Sequence, residues 1–125
     1  MVRGIGVDII EIERIHHSIE ALGEHFLHKI FTPGEIAYCS AKPTAAQHFA
    51  ARYAAKEALS KALSTGWAGE FRWKDVEIFN EPSGQPRVEL HGRLREKLAH
   101  CSVLVSLSHS DSHVVAMVVI EDTTA

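Results

Sequence analysis

Hydrophobic positions fall along this chain in two periods. From Val2 to Ile10 they run almost unbroken, and only Asp8 interrupts Gly4-Ile5-Gly6-Val7-Asp8-Ile9-Ile10, a stretch that reads as an almost fully buried strand. From Glu11 to Leu22 the spacing changes, with Ile12, Ile15, Ile19 and Leu22 on one helical face. Gly23 breaks that helix, and Phe26, Leu27, Ile30 and Phe31 predict a short second one. Thr32-Pro33-Gly34-Glu35 then offers Thr at the N-cap, Pro at N1 and Glu at N3, the residue types of a capping box, so a third helix starts at Pro33. The alanine-rich stretch from about Thr44 to Ser64 predicts a long helix that closes near Gly66. Asp75 to Phe79 and Arg87 to Leu90 alternate with period two around the turn residues Asn80 to Pro86, which predicts a hairpin. A short helix from Gly92 and strands over Ser102 to Ser108 and His113 to Ile120 follow. The class is α+β: a single domain over residues 1–125, with antiparallel sheet packed against a long helix.

Composition narrows the possibilities. At 125 residues, 46% hydrophobic and 23% charged, the chain is long enough for one core, which buries roughly two thirds of the unfolded surface. Sixteen acids against 13 Lys and Arg leave no broad basic face for nucleic acid. Between Lys42 and Leu63 the balance reverses: Lys42, Arg52, Lys56 and Lys61 face only Glu57, a local excess able to attract an anion. Cys39 and Cys101 stand 62 positions apart without ligand-spaced partners, which excludes a zinc signature and reads as two free thiols. With neither a signal-peptide core nor about 18 consecutive apolar residues, the expectation is a cytoplasmic protein with no membrane contact.

A lone carboxylate in an apolar strand needs a partner, because burying it unpaired is costly. Asp8 therefore either pairs with a backbone N–H or an arginine, or binds a metal. On a wheel of the long helix, Tyr53, Glu57, Lys61 and Ser64 share one stripe, opposite Ala51, Ala55, Leu59, Ala62 and Leu63, while Arg52 falls on the other side. Glu57 and Lys61 taken alone are an ordinary i, i+4 pair worth about 0.3 to 0.5 kcal/mol. Two acids beside lysines also suit a hard cation and a phosphate. Ser106-Leu107-Ser108-His109-Ser110-Asp111-Ser112-His113 gathers hydroxyls and imidazoles at a strand end, either a phosphate-holding segment or a polar hairpin tip. No Gly-x-Ser-x-Gly elbow supports a hydrolase triad there. His16-His17 and the His25 and His28 pair read as solvated surface histidines, and Trp67 and Trp73 as packing residues.

Taken in order, Gly4-Ile5-Gly6-Val7-Asp8-Ile9-Ile10-Glu11-Ile12, Phe31-Thr32-Pro33-Gly34-Glu35, Arg52-Tyr53-Ala54-Ala55-Lys56-Glu57-Ala58-Leu59-Ser60-Lys61-Ala62, Asn80 to Pro86 and Val105-Ser106-Leu107-Ser108-His109-Ser110 resemble the holo-[acyl-carrier-protein] synthase family of the 4′-phosphopantetheinyl transferase superfamily, over nearly the whole chain. The resemblance implies transfer of 4′-phosphopantetheine from coenzyme A to a serine of apo acyl carrier protein, with release of adenosine 3′,5′-bisphosphate, in fatty-acid biosynthesis. It implies Mg²⁺ held by Asp8 and Glu57, with Lys61 on the phosphate and either Glu57 or a metal-held water as proton acceptor. It further implies that Arg52, Ser106 and His109 contact coenzyme A, that the turn through Gly84 and Pro86 borders the adenine, and that Arg14 docks the acidic carrier. Glu11 and Glu13 weaken any broad positive patch around Arg14. A homotrimer with shared active sites is expected from the same resemblance. Two rival readings remain at this stage, a non-catalytic nucleotide-binding module and a Mg²⁺-dependent phosphohydrolase.

Overall fold

The computed structural model describes residues 1–63 and 71–124; Ser64, Gly66 and Trp67, named above, lie outside the described residues. The elements follow in the order β1 (Val2–Glu11), α1 (Ile12–Leu22), α2 (Glu24–Ile30), α3 (Pro33–Ser40), α4 (Ala45–Ala62), β2 (Val76–Asn80), β3 (Pro86–Leu90), α5 (Gly92–Lys97), β4 (Cys101–His109) and β5 (His113–Asp122). The strands form two antiparallel sheets, a three-stranded one ordered β1-β5-β4 and the β2-β3 hairpin.

Helix boundaries follow local chemistry. Gly23 takes φ +56°, a conformation that stops α1 cheaply only because glycine has no side chain. The capping box at α3 is complete: Thr32 Oγ1 accepts from the Glu35 amide at 3.2 Å, and Glu35 Oε1 accepts from the Thr32 amide at 2.9 Å. Among the described residues, no helix is long and apolar enough to cross a membrane.

Helix α4 lies directly on β1 and β5, and glycine makes this possible. A Cβ at Gly4 would strike the Ala62 carbonyl, and one at Gly6 the Ala58 carbonyl, so the strand presses bare backbone against the helix. The helix answers with small residues: Ala50, Ala54, Ala55, Ala58 and Ala62 are buried with Leu59. The buried stripe is thus centred differently from the wheel above, with Ala51 and Leu63 only half-buried.

The reading of β1 as almost fully buried is wrong. Gly6 and Ile10 face the core, but Ile5, Val7 and Ile9 are 60%, 54% and 63% exposed. The strand alternates, yet its outer positions are apolar too, so the sequence hides the period. Register continues that outer face across the sheet, placing Ile5 beside Val119 and Leu104, and Val7 beside Met117 and Ser106.

Candidate active site

Asp8 sits on the inner side of β1, facing α4 with its side chain only 16% exposed. Its partner is Lys61, whose Nζ donates to Asp8 Oδ1 at 3.1 Å and to the Val7 carbonyl at 3.0 Å. Helical side chains lean toward the helix N-terminus, so a lysine near the end of α4 reaches back along it. The half-buried Tyr53 and Glu57 complete this group. Burial, then the Glu57 carboxylate and a hydrogen bond to it, hold the Tyr53 phenol above its ordinary pKa of 10.0, with Asp8 acting the same way and Arg14 opposing. Asp8, Arg14, Tyr53, Glu57 and Lys61 therefore share one electrostatic neighbourhood. A cleft of about 710 Å³ opens beside Glu57, walled by Tyr53, Phe71 and Trp73 and rimmed by Lys29, Arg72 and Lys74.

The donor set suits a hard cation. Two carboxylates without sulfur or imidazole are what Mg²⁺ commonly takes, the remaining positions going to phosphate and water. The Lys61 ammonium on Asp8 already shows that this carboxylate holds positive charge.

On the other side of α4 lie Arg52 and the Gly84 and Pro86 turn, apart from this group. Arg52 is buried, only 2% exposed, and its guanidinium donates to Asn80 Oδ1 at 2.8 Å. Asn80 in turn donates to the Gly84 carbonyl at 3.0 Å and stands opposite Pro86 in the hairpin. Arg52 Nε is buried and finds no partner among the described residues. The structure therefore joins Arg52 to the Gly84 and Pro86 turn through a residue to which sequence reasoning gave no role of its own. His109 is exposed at the end of β4, and Ser106 and Ser108 lie on the outer face of the sheet. Ser110 Oγ accepts from the amides of Ser112 and His113 at 3.2 and 3.1 Å, shaping the tip between β4 and β5.

Two features correct the sequence reading. The proposed basic patch is smaller than it looked, because Lys56 is fully buried and bonded to Glu35 Oε1 at 2.7 Å, the Ile30 carbonyl at 2.8 Å and the Trp73 carbonyl at 3.1 Å. Desolvation lowers the Lys56 pKa even against the pull of Glu35. This lysine is structural. Second, the described residues bring Glu77, Glu89 and His91 within 4.8 Å of one another, a grouping that sequence spacing did not reveal. Glu77 already accepts from Thr32 Oγ1 at 2.9 Å and contacts His91 Nε2 at 3.0 Å, so the cluster fastens the hairpin to the start of α3. His16 and His28 pair with Glu20 and Glu24 on exposed helix surface, as expected of solvated histidines. Cys39 and Cys101 are free, and burial pushes the Cys39 thiol up to about 11, far from a reactive thiolate.

The family model of the 4′-phosphopantetheinyl transferase superfamily matches residues 4–118. The chain belongs to that superfamily. Within it, a holo-[acyl-carrier-protein] synthase of Koribacter versatilis is 43% identical over 125 residues, covering 98% of this chain and all of that protein. The crystal structure of holo-[acyl-carrier-protein] synthase from Neisseria meningitidis superposes with a TM-score of 0.88 at 30% identity, covering 98% of this chain and 100% of that one. The Helicobacter pylori enzyme, solved in complex with coenzyme A, superposes with a TM-score of 0.84 at 32% identity, covering 94% and 99%. The α+β expectation and the family resemblance both hold.

Proposed function

We propose that this chain transfers 4′-phosphopantetheine from coenzyme A to a serine hydroxyl of apo acyl carrier protein and releases adenosine 3′,5′-bisphosphate, in support of fatty-acid biosynthesis. The observation that carries the reading is the meeting of Asp8, Glu57 and Lys61 between β1 and α4, in a chain similar over its whole length to holo-[acyl-carrier-protein] synthases. Each copy contributes a single domain, acting in the cytoplasm where fatty acids are built.

In the reaction the serine oxygen attacks the phosphorus that bears the pantetheine arm. A new P–O bond forms, the bond to the bridging oxygen breaks, and the bisphosphate leaves with that electron pair. Asp8 and Glu57 would hold Mg²⁺, which, when bound, supplies positive charge to the diphosphate. Lys61, already beside Asp8, swings its ammonium to the phosphate oxygens and offsets the charge developing there. The serine proton passes to Glu57 or to a water beside it; Tyr53, kept protonated, donates to Glu57 and holds its orientation. Arg14, exposed on α1 near this group, meets the acidic carrier.

The separation of the two groups across α4 supports a homotrimer with shared active sites. Ile5, Val7, Ile9, Leu104 and Met117 form an exposed apolar face across three strands, of a kind that marks an interaction surface. Ser106 and Ser108 stand on that same face, so a second copy laid against it would have these serines at the contact between copies.

The test is to incubate the protein with coenzyme A, Mg²⁺ and apo acyl carrier protein and to weigh the carrier. A mass gain of one phosphopantetheine supports transfer. Bisphosphate without carrier modification points to a phosphohydrolase, and neither product to a binding module. Light scattering checks the assembly: a fully active monomer overturns the shared site.

A further inference from the structure

Tyr38 of α3 is a meeting point for basic groups. Lys42 Nζ lies 4.7 Å and Arg52 Cζ 4.5 Å from the centroid of its ring, and the His48 imidazole stands against it edge-on, centroids 5.8 Å apart at 83°. The groups facing His48 come from every neighbouring element: Tyr38 from α3, Lys42 from the segment after it, Arg52 from α4 and His109 from the end of β4. Those that carry charge are all basic. His48 is half-buried, and burial first, then Arg52, Lys42 and His109, lower its pKa below 6.5. The fully covered Arg52 adds an Nε–H with no partner among the described residues. Cationic side chains gathered without a carboxylate among them form a place made for an anion.

This inference rests on the transferase reading and concerns regulation of the same site. Coenzyme A carries two kinds of phosphate, the diphosphate that is cleaved beside Asp8 and Glu57, and a monoester on the ribose. The Arg52, Asn80 and Gly84 chain joins the basic cluster to the turn assigned to the adenine, on the far side of α4 from the carboxylates. Only the monoester has a second ionisation near pH 6 and is largely a dianion near neutrality, so it draws a proton from solvent onto a facing imidazole more strongly than the singly charged phosphates of the diphosphate do. We propose that His48, absent from the set of co-substrate residues above, binds the ribose phosphate monoester together with Lys42 and Arg52, taking up a proton as the monoester docks. Free, the imidazole has its protonation disfavoured by burial and by its cationic neighbours. With a dianion seated among them, the same site favours imidazolium.

Titration calorimetry of coenzyme A in buffers of different ionisation enthalpy, across pH 6 to 8.5, reads the proton directly. The intact protein takes up protons on binding, whereas 3′-dephospho-coenzyme A causes no such uptake. His48→Gln and His48→Asn abolish the uptake and weaken coenzyme A about tenfold near pH 6.5, with the loss shrinking toward pH 8.5 as the wild-type imidazole stays neutral. Unchanged melting temperature in either variant shows that the fold is intact. Coenzyme A binding without proton uptake, or uptake that survives both substitutions, overturns the inference while leaving transfer standing. Failure of coenzyme A to bind overturns the transfer reading and this one together.

Discussion

Two lysines on α4, five residues apart, carry opposite duties. Lys56 is sealed: its side chain and that of Glu35 are both 0% exposed, all three of its donors are used, and Glu35 also accepts from the amides of Thr32 and Ile78. The network ties the end of α2, the start of α3, α4 and β2 into one body. Lys61 is 55% exposed, and its pairing with Asp8 leaves it able to move. A satisfied buried network fixes geometry and is costly to break, while an exposed pair adds little stability and remains available to a ligand.

Breaking the sealed pair has the largest expected effect. Lys56→Met strands a buried carboxylate and costs about 3 to 5 kcal/mol in urea unfolding, with activity lost only as the protein unfolds. Loss below 1 kcal/mol would remove the contrast. Next come Asp8→Ala and Glu57→Ala, each expected to lower carrier modification at limiting Mg²⁺ by at least about 10²-fold, roughly 3 kcal/mol, with the melting curve nearly unchanged. Near-normal rates in both variants would reject these two acids as the reacting centre. Lys61→Ala sharpens the comparison further: unfolding changes by under about 1 kcal/mol, while coenzyme A turnover falls.

The smallest effect is a pH dependence of stability. Asp122, bonded to Thr124 and Arg3, has its pKa lowered from 3.8 to about 2. A lowered carboxyl contributes stability that is complete above the unfolded value and is lost as pH falls through the folded one, so the loss belongs to the window from about pH 4 down to 2. Asp122→Asn should flatten the stability profile in that window, leaving the protein slightly less stable at neutrality and unchanged below about pH 2.

Sequence carried much of this. The Glu57 and Lys61 stripe was legible because residues four apart on a helix must share a face, and the capping box because its partners are three residues apart. The burial of Lys56 was not, since its partners come from Ile30, Glu35 and Trp73 and no local period announces them. The companion of Arg52 escaped in the same way, Asn80 lying 28 residues on. The strand β1 misled for a different reason: alternation is read from polar outer residues, and here the outer face is itself apolar. Asp8 stood out regardless, as the single charge in that stretch.

The bare contact of Gly4 and Gly6 with the α4 main chain has an evolutionary consequence. Seated peptide against peptide, the reacting acid's position depends on counting residues along the strand, so a single inserted or deleted residue between Gly6 and Asp8 would rotate that carboxylate to the opposite surface. Lineages descended from this chain must keep both the bare glycines of the seam and its spacing.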